Sequence, residues 1–557
     1  MSYTAHFLHI PDDVLAYLLD LTTMSDLESV SKVAALTVIS LLFTHLTLSQ
    51  TCKQLRTICG VVRAPYLHEL KREGLEYNAA SASPTMSFPQ ALASLKSREL
   101  RWRMMHPIDS SFRGALNERN VTSYYHKVVL YVSRHVTSSV VYGDISVDHA
   151  SYYYGSADEV TCLHAADVPQ DLLVLLRMHI GTNLPYLSFL SLREMSPHSA
   201  AAHPTRVLVT SISPMGYLAT PLGARGLRIF GPWCAILTTD PSSNKLEPHS
   251  SVLLLCNWKT SALFKLARIH SDKVDDFNFI NDRTLAVIHR AQDPSRVILR
   301  LYDVILPNQL CLSGCVTLQV SLQLPRIEAQ VFIDPSRILL PRALQEQILQ
   351  RHQRPREVLS PNSGIMTLSV PLEMDVEKAR LDVVIDIPML LSIAHDRNAT
   401  DCALLWNEWG PKVSRVFLIN KVLRAKGDVE PLQDVEGYRV AYSTNVDFRD
   451  TCTGISEEHS HPAAFILDFN PASIRWASEE AKACRRMRGT LVTEASVLRP
   501  GRLLAEEVVS SLSYTRTMLD GYLPQHQIRL SRDEVVYPVT PLQGHPPPNL
   551  PNVYSFV

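Results

Sequence analysis

The chain has 557 residues, of which 46% are hydrophobic and 20% are charged, and its formal net charge is −1 at pH 7. This composition excludes a wholly disordered chain, and the balanced charge lacks the basic excess that nucleic-acid-binding proteins use. The ten Cys are too dispersed for a small disulfide-stapled domain, and Met1–Asp13 lack the basic and apolar regions of a signal peptide. We therefore expect reduced thiols and a cytoplasmic or nuclear location, or both.

The first predicted element is a helical domain at residues 8–76. Pro11 suits a first helical turn, and Asp12 and Asp13 suit the positive end of the helix. A capping-box pattern at Ser25–Glu28 begins a second helix. The apolar positions recur at helical spacing and are Val14, Leu15, Leu18, Leu19, Leu27 and Val30.

Residues 33–52 contain no formally charged side chain, so a transmembrane helix is the alternative to weigh here. A membrane span needs about 20 predominantly apolar residues. This stretch instead contains repeated Thr, Ser, His and Gln side chains. We therefore expect no membrane span.

Two short elements follow the helical domain. Residues 77–90 are small and polar and contain Pro84 and Pro89, which predicts a linker. Residues 91–110 are predicted as a connecting element with a helix over Ala91–Met105.

Residues 111–543 are predicted to be an all-β domain. Short runs rich in Val, Ile, Leu, Tyr and Thr alternate with Pro, Asn, Asp and Gly, which is typical of many short strands. Asp275–Val304 has a strand–turn–strand–turn–strand pattern, and Tyr302-Asp303 stands where WD-type repeats have Trp-Asp. Val252–Thr260 is predicted to contain the last strand of the preceding unit.

The overall prediction is an α+β multidomain protein with a helical N-terminal domain and a propeller-like β domain. An irregular all-β domain is the alternative, because the sequence shows no strict repeat period.

Helices are also predicted to interrupt the β domain near Leu340–Arg354 and near Ser478–Arg488. The chain is predicted to end in a Pro-rich tail, residues 544–557. Its stretch from Gly544 to Pro551 contains four Pro and is predicted to be irregular.

The order of three elements in the first 60 residues resembles the F-box. In that family a Pro opens the first helix, Asp-Leu begins the second and Cys-Lys-x-Leu-Arg closes the motif. Here these elements are Pro11, Asp26-Leu27 and Cys52–Arg56. The remainder is similar to fungal F-box proteins with a large β-rich C-terminal region. The similar pieces are Cys256–Thr260, Asp275–Phe279, Arg300–Asp303, Trp406–Pro411 and Asp468–Pro471.

The sequence departs from the F-box pattern in one place. An 18-residue insert, Val33–Gln50, separates the second element from the third. Every Val codon begins with GT and Gln can be encoded by CAG, so we hypothesise that the insert is a translated, unspliced intron, which sequencing of mature transcripts would test. If helical, the insert adds about five turns and about 27 Å.

The resemblance implies docking onto the small adaptor subunit of a cullin–RING ubiquitin ligase, while the β domain binds a substrate protein. The implied adaptor-binding residues are Pro11, Val14, Leu15, Leu18, Leu27, Val30, Cys52 and Leu55. Catalysis would belong to other subunits, so we expect no enzymatic activity, no cofactor and no nucleic-acid or membrane partner. The alternative is a stand-alone β-propeller scaffold or ligand-binding protein with a degenerate F-box.

A search for chemistry supports no catalytic site and no metal site in the sequence. No phosphate loop, His-Glu-x-x-His, Gly-x-Ser-x-Gly or Cys-x-x-Cys is present. Cys311 and Cys315 lack a second ligand pair nearby, and His459 and His461 are expected in a solvated loop. Asp275-Asp276 is expected to be solvated or to cap a turn, Trp406 and Trp409 are expected to pack in the β domain, and Arg485–Arg488 is expected on a solvated face.

Overall fold

The computed structural model describes much of the chain from residue 64 to residue 555. The residues outside the description are 1–63, 74, 78–86, 105–108, 113–122, 126–127, 133–135, 143–146, 155–157, 168–169, 180–184, 208–225, 240–250, 261, 266–272, 282, 292, 294, 306–314, 334–356, 361, 375–376, 397–402, 422–432, 445–447, 450–462, 483–488, 519–528, 531–533, 538–551 and 556–557.

The elements of the described residues are numbered in chain order. The helices are α1 (Ala64–Arg72), α2 (Phe88–Met104), α3 (Ile387–Asp396), α4 (Trp406–Val413) and α5 (Pro471–Lys482). The first strands are β1 (Leu75–Tyr77), β2 (Asp109–Phe112), β3 (Ser123–Tyr125), β4 (Val128–Val132), β5 (Val136–Tyr142), β6 (Val147–Tyr154), β7 (Glu159–Asp167), β8 (Leu172–His179), β9 (Pro185–Ser191), β10 (Thr205–Val207), β11 (Leu227–Phe230), β12 (Trp233–Thr239), β13 (Ser251–Asn257) and β14 (Ala262–Lys265). The next are β15 (Lys273–Phe279), β16 (Thr284–Arg290), β17 (Val297–Ile305), β18 (Cys315–Gln323), β19 (Phe332–Ile333), β20 (Glu357–Leu359), β21 (Ile365–Met374), β22 (Glu377–Asp386), β23 (Ser414–Lys421), β24 (Gln433–Glu436) and β25 (Arg439–Thr444). The last are β26 (Phe448–Arg449), β27 (Ala463–Asp468), β28 (Gly489–Val492), β29 (Ser496–Leu498), β30 (Val508–Ser510), β31 (Tyr514–Met518), β32 (Arg529–Leu530), β33 (Glu534–Tyr537) and β34 (Asn552–Ser555).

The chain divides into two compact units, which we call the N-terminal unit and the β body. The N-terminal unit comprises Met1–His106 and Arg351–Leu359, and the β body comprises Pro107–Gln350 and Ser360–Val557. In the N-terminal unit, β1 pairs with β20, which the chain supplies from a point far downstream. A segment that leaves the β body therefore completes the described sheet of the N-terminal unit.

Seven sheets of four or five strands form the described part of the β body. All their strand pairs are antiparallel, and sheets 1 to 4 are simple meanders. The sheets are sheet 1 (β3-β4-β5-β6), sheet 2 (β7-β8-β9-β10), sheet 3 (β11-β12-β13-β14), sheet 4 (β15-β16-β17-β18), sheet 5 (β19-β21-β22-β23-β26), sheet 6 (β24-β25-β27-β31-β28) and sheet 7 (β32-β33-β34-β2). Small meander sheets in chain order are characteristic of a propeller-like domain.

Each described sheet from 2 to 5 packs a face against the next sheet in the chain. The side chains of β12 illustrate this packing, because they alternate between two core clusters. Cys234 and Ile236 lie in a cluster with residues of sheet 2, while Trp233 and Ala235 lie in a cluster with residues of sheet 4. Because successive side chains of a strand point to opposite faces, an apolar strand can serve two interfaces. Sheets 4 and 5 share a further cluster, and so do sheets 5 and 6.

A short polar residue stands at or near the end of the third strand in six of these sheets. In each sheet this residue pairs with the first residue of the second strand, and the six are Ser191, Asn257, Asp303, Asp386, Asp468 and Ser555. The side chains of Ser191, Asn257, Asp386 and Asp468 accept backbone N–H groups two or three residues later. Asx and Ser turns of this kind favour a sharp exit from a strand.

The two ends of the β body meet in sheet 7. Strand β34 lies between β33 and β2, so the first strand of the β body completes the sheet that holds its last strand. This pairing satisfies the backbone groups on both sides of β34 and protects an edge that would otherwise be exposed. Within the predicted Pro-rich tail at 544–557, Asn552–Ser555 forms β34, because a partner strand from the other end of the body decides its conformation. The stretch predicted to be irregular, 544–551, lies outside the described residues.

Sheets 5 and 6 each have an insertion between two of their strands. Helices α3 and α4 are inserted between β22 and β23. The arm, which we define as the β29–β30 hairpin with its loop, is inserted between β28 and β31 and reaches the segment between sheets 4 and 5. There Glu328 N–H donates to Leu503 O at 3.1 Å, and Ala505 N–H donates to Arg326 O at 3.0 Å. Leu504 is buried in the cluster shared by sheets 4 and 5.

Several sequence predictions can be compared directly with these elements. The strands of Asp275–Val304 are confirmed as β15, β16 and β17, and Tyr302-Asp303 lies near the end of the third strand, which continues to Ile305. Val252–Thr260 holds the third strand of sheet 3 and not its last, because β14 follows it.

The predicted helices fare differently. The helix predicted at Ala91–Met105 begins earlier, at Phe88, where Gln90 Oε1 accepts the Ser87 N–H at 3.0 Å. The helix predicted near Ser478–Arg488 begins at Pro471, because Asn470 Oδ1 accepts the Ala472 N–H at 2.8 Å and caps it. The predicted Leu340–Arg354 helix, the insert at 33–50 and residues 78–86 of the predicted 77–90 linker lie outside the described residues, while Phe88–Gln90 of that linker belong to α2.

Val553→Pro should destabilise the β body. A central strand cannot spare a backbone N–H, and Val553 pairs with both Ser111 and Val536. We expect a loss of about 2–3 kcal/mol in the free energy of unfolding, measured by urea denaturation. V553T, which keeps β propensity and the N–H group, should stay near wild type; equal midpoints for both variants would contradict the closure role.

Asp468→Ala should cost about 3 kcal/mol of unfolding free energy, because it leaves the buried Arg439 without its carboxylate. Asp468 accepts Arg439 Nε at 3.4 Å and Ser473 Oγ at 2.9 Å, besides the turn N–H of Asn470. E479A, at an exposed position of α5, is the matched control and should change stability little. Urea midpoints that agree within error would contradict the role of the strand-end carboxylate.

Candidate interaction surface

The predicted adaptor-binding residues lie outside the described residues. These are Pro11, Val14, Leu15, Leu18, Leu27, Val30, Cys52 and Leu55. Their arrangement therefore stays a prediction. The structure describes a later part of the N-terminal unit, from residue 64 onward, and much of the β body.

The described part of the N-terminal unit has its own small core. Tyr66 and Leu70 of α1 pack with Leu95 of α2, and the Tyr66 ring lies 6.2 Å from Tyr77 and 6.0 Å from Phe88, centroid to centroid. A buried ion pair adds to this core, in which Arg103 Nη2 of α2 lies 2.7 Å from Glu73 Oε1. In the described part of the unit, apolar packing and this charged pair therefore hold α1 and α2 together.

In the β body, two Trp fix the insertion layer formed by α3, α4 and the arm. The Trp409 indole N–H donates to Gln323 O of β18 at 2.9 Å, and the Trp406 indole N–H donates to Val509 O of the arm at 3.2 Å. The two rings meet edge to face with centroids 5.0 Å apart. Gly410 is required beside them, since a Cβ there would overlap the Trp406 ring. The prediction that Trp406 and Trp409 pack in the body is confirmed.

The same layer carries exposed apolar side chains. Leu405 is 51% exposed and precedes Trp406, while Val497 is 40% exposed and pairs directly with Val509. Since Trp406 donates to Val509, the three residues Leu405, Val509 and Val497 lie on neighbouring backbone segments. We call them the apolar strip. Grouped apolar exposure marks interaction surfaces, whereas isolated exposed residues are ordinary.

A polar corner joins sheets 2 and 3. Asp167 accepts the Gln170 backbone N–H at 3.2 Å and its side-chain amide at 2.7 Å, and that amide also donates to Gly231 O at 2.6 Å. The Trp258 indole N–H donates to the same Gly231 carbonyl at 3.0 Å. Two adjacent turns are thus tied through one carbonyl group.

His198 in this corner has a defined tautomer. Its Nδ1 accepts the Ala200 N–H at 3.1 Å, so Nε2 carries the hydrogen and donates to Gln170 O at 2.9 Å. The imidazole ring also meets the Trp258 ring edge to face, with centroids 5.0 Å apart. Every ring nitrogen is thereby engaged in holding a turn, which leaves none to serve as a base.

One sequence prediction is corrected in the body. Asp275-Asp276 was expected to be solvated or to cap a turn, but Asp276 is fully buried and lies 3.2 Å from Arg228 Nη2 of sheet 3. The register of β15 shifts between Val274 and Asp276, and this bulge places Asp276 at the interface between sheets 3 and 4. The remaining candidates, Cys311, His459, His461 and Arg485–Arg488, lie outside the described residues.

No group of three or more His, Cys, Asp or Glu comes together to hold a metal ion within the part of the chain that the structure describes. In that same part, no helix has both the length and the hydropathy that crossing a bilayer requires.

Asp167 should make stability depend on pH. Burial raises the pKa of Asp167 from 3.8 to about 6, against the opposing hydrogen bonds of Gln170. Because the pKa of Asp167 is raised in the folded state, the contribution of Asp167 to the free energy of unfolding is fully present below pH 3.8. This contribution is lost as the pH rises through about 6. D167N should remove this loss, so its unfolding free energy relative to wild type should rise by about 2 kcal/mol between pH 4 and pH 7.5.

Urea denaturation at pH 4, 6 and 7.5 measures this difference. E479Q, at an exposed helix position, is the control and should leave the profile of the wild type unchanged. A pH-independent difference between D167N and wild type would show that Asp167 does not titrate in this range.

Comparison with known proteins gives matches among solved structures. No family model matches the chain, and no curated protein matches it. Among solved structures, the WD40 domain of SCAP from fission yeast is 9% identical and has a TM-score of 0.32, with 77% of this chain and 80% of that chain covered. Hsv2p of Kluyveromyces lactis is 9% identical with a TM-score of 0.25, covering 65% and 93%, and the tricorn protease is 9% identical with a TM-score of 0.27, covering 75% and 32%. Likenesses of this size carry no argument about function.

Proposed function

We propose that this protein is a substrate-recognition adaptor of a cullin–RING ubiquitin ligase of the SCF type. The N-terminal motif docks onto the small adaptor subunit of the ligase, and the β body binds a substrate protein. The observation that carries the proposal is the order of Pro11, Asp26-Leu27 and Cys52–Arg56 in the sequence. Catalysis belongs to the other subunits of the ligase.

Docking of this kind depends on apolar anchors at helical spacing. A helix that enters a groove on a partner presents side chains at intervals of three and four residues. Leu15 and Leu18 have this spacing, and so do Leu27 and Val30. Because few interface residues carry most of the binding energy, a charge at Leu15 should abolish capture of the adaptor subunit.

The β body offers a surface for the second half of the proposed function. The apolar strip is exposed and rests on a layer that the two Trp indoles anchor to β18 and to the arm. A rigid support lowers the entropic cost of binding a partner. The strip therefore supports a role in substrate binding.

The second candidate function is a stand-alone propeller-like scaffold with a degenerate F-box. The 18-residue insert at 33–50 favours it, because it separates Leu27 from Leu55 and Arg56. An added helix of about 27 Å would move the closing element away from its partner.

A pull-down with purified adaptor subunit and cullin tests the proposal. The full chain, L15D and a variant lacking residues 33–50 are compared at equal concentration. L100D is the matched control, since Leu100 is an exposed Leu on α2 beyond the motif, and it should capture as well as wild type. We expect L15D to reduce capture by about 100-fold or more, as the loss of a central anchor costs at least about 3 kcal/mol.

The outcomes separate the two candidate functions. Capture by wild type that L15D abolishes supports the adaptor. Capture only by the variant lacking 33–50 supports the motif and assigns the failure to the insert. If neither wild type nor that variant captures the adaptor subunit, the adaptor proposal is wrong and the scaffold is favoured.

A further inference from the structure

The interface between sheets 5 and 6 combines an apolar cluster with a set of buried polar groups. Val384 and Phe417 of sheet 5 pack against Tyr442 and Phe465 of sheet 6. Thr367 pairs with Val384, and Asp382 pairs with Phe417. Since directly paired residues point to the same face of a sheet, Thr367 and Asp382 also face sheet 6.

Both of these polar side chains are completely enclosed. Thr367 and Asp382 are each 0% exposed. Asp382 Oδ2 accepts Arg380 Nη2 at 2.7 Å. Asp382 Oδ1 and Thr367 Oγ1, by contrast, are buried without a hydrogen-bond partner from the protein. Each such group costs about 1–3 kcal/mol when it stays unsatisfied, and native proteins rarely leave two of them side by side.

The strand register fixes how Thr367 and Asp382 lie relative to each other. Ser369 is directly opposite Asp382, and Thr367 is two residues away from Ser369 on the same strand. Thr367 and Asp382 are therefore diagonal neighbours, about 7–8 Å apart at Cα and somewhat less at Cβ. This spacing is too long for a direct bond between two short side chains and suits one bridging molecule.

We propose that an internal water molecule bridges Asp382 Oδ1 and Thr367 Oγ1 in the core between sheets 5 and 6. The water donates one hydrogen to the carboxylate oxygen and forms its second bond with the Thr hydroxyl. Buried waters occur where at least two polar partners converge away from solvent. This site is independent of the proposed ligase function.

The water has a structural consequence for this interface. Burial, then the charge of the nearby Asp382 carboxylate and its hydrogen bond with the Tyr442 side chain, raise the pKa of Tyr442 well above its ordinary value. Tyr442 belongs to sheet 6, so the carboxylate influences both sheets. Bridging its free oxygen to Thr367 fixes the position of that carboxylate between β21 and β22.

Thr367→Val tests the site, because the two possible environments of the hydroxyl give opposite signs. If a water bonds to the hydroxyl, T367V loses that bond, and we expect the equilibrium constant for unfolding to rise about fivefold to tenfold. If the hydroxyl is unsatisfied, the Val side chain removes a buried polar group without cost and the unfolding constant falls. T367S, which keeps the hydroxyl group, should retain the water.

Oxygen-17 relaxation dispersion of solvent water on the full-length protein counts the long-lived internal waters directly. We expect T367V to lose one such water relative to wild type and T367S to lose none. T490V, at an exposed position of β28, is the matched control and should change neither the count nor the unfolding constant by more than about twofold. An unchanged count in folded T367V, or a T367V that is more stable than wild type, would overturn the proposal.

Discussion

The pairing of Asp109–Phe112 with Asn552–Ser555 is the interaction on which the β body depends. Within the described residues, the strand pairs of each of the seven sheets stay inside that sheet, and clusters of buried side chains join sheets 2 to 6 in succession. Sheet 7 differs, because its strands come from both ends of the body. The backbone pairing in sheet 7 thus protects a strand edge and joins the two ends of the body at once.

The insertion layer extends the side-chain packing between sheets 4 and 5. In this layer α3, α4 and the arm enter the same apolar cluster as β17, β18, β21 and β22. The Trp406 and Trp409 indoles place these added elements by donating to backbone carbonyls. The exposed apolar strip is therefore held on a fixed support, which suits the partner binding that we propose.

Buried ion pairs bear on which strand register and which neighbouring sheet each sheet of the β body adopts. Asp276 joins Arg228 across sheets 3 and 4, Asp382 joins Arg380 within sheet 5, and Asp468 joins Arg439 within sheet 6. Such pairs gain little net stability over apolar packing, yet breaking one is costly. We infer that they favour one register and one sheet neighbour over alternatives that similar apolar strands could form.

The sequence by itself determined the class of the β body and many of its strands, because alternating Val, Ile and Leu runs and turn residues act locally. It also singled out Tyr302-Asp303, which lies close to the end of β17, as the counterpart of the Trp-Asp pair of WD-type repeats. The eight adaptor-binding residues remain predictions from the sequence. Only the tertiary structure decided that Asn552–Ser555 is a strand, that Asp276 is buried, and that Leu405, Val497 and Val509 share a surface. Each of these depends on a partner distant in the chain, which no local pattern encodes.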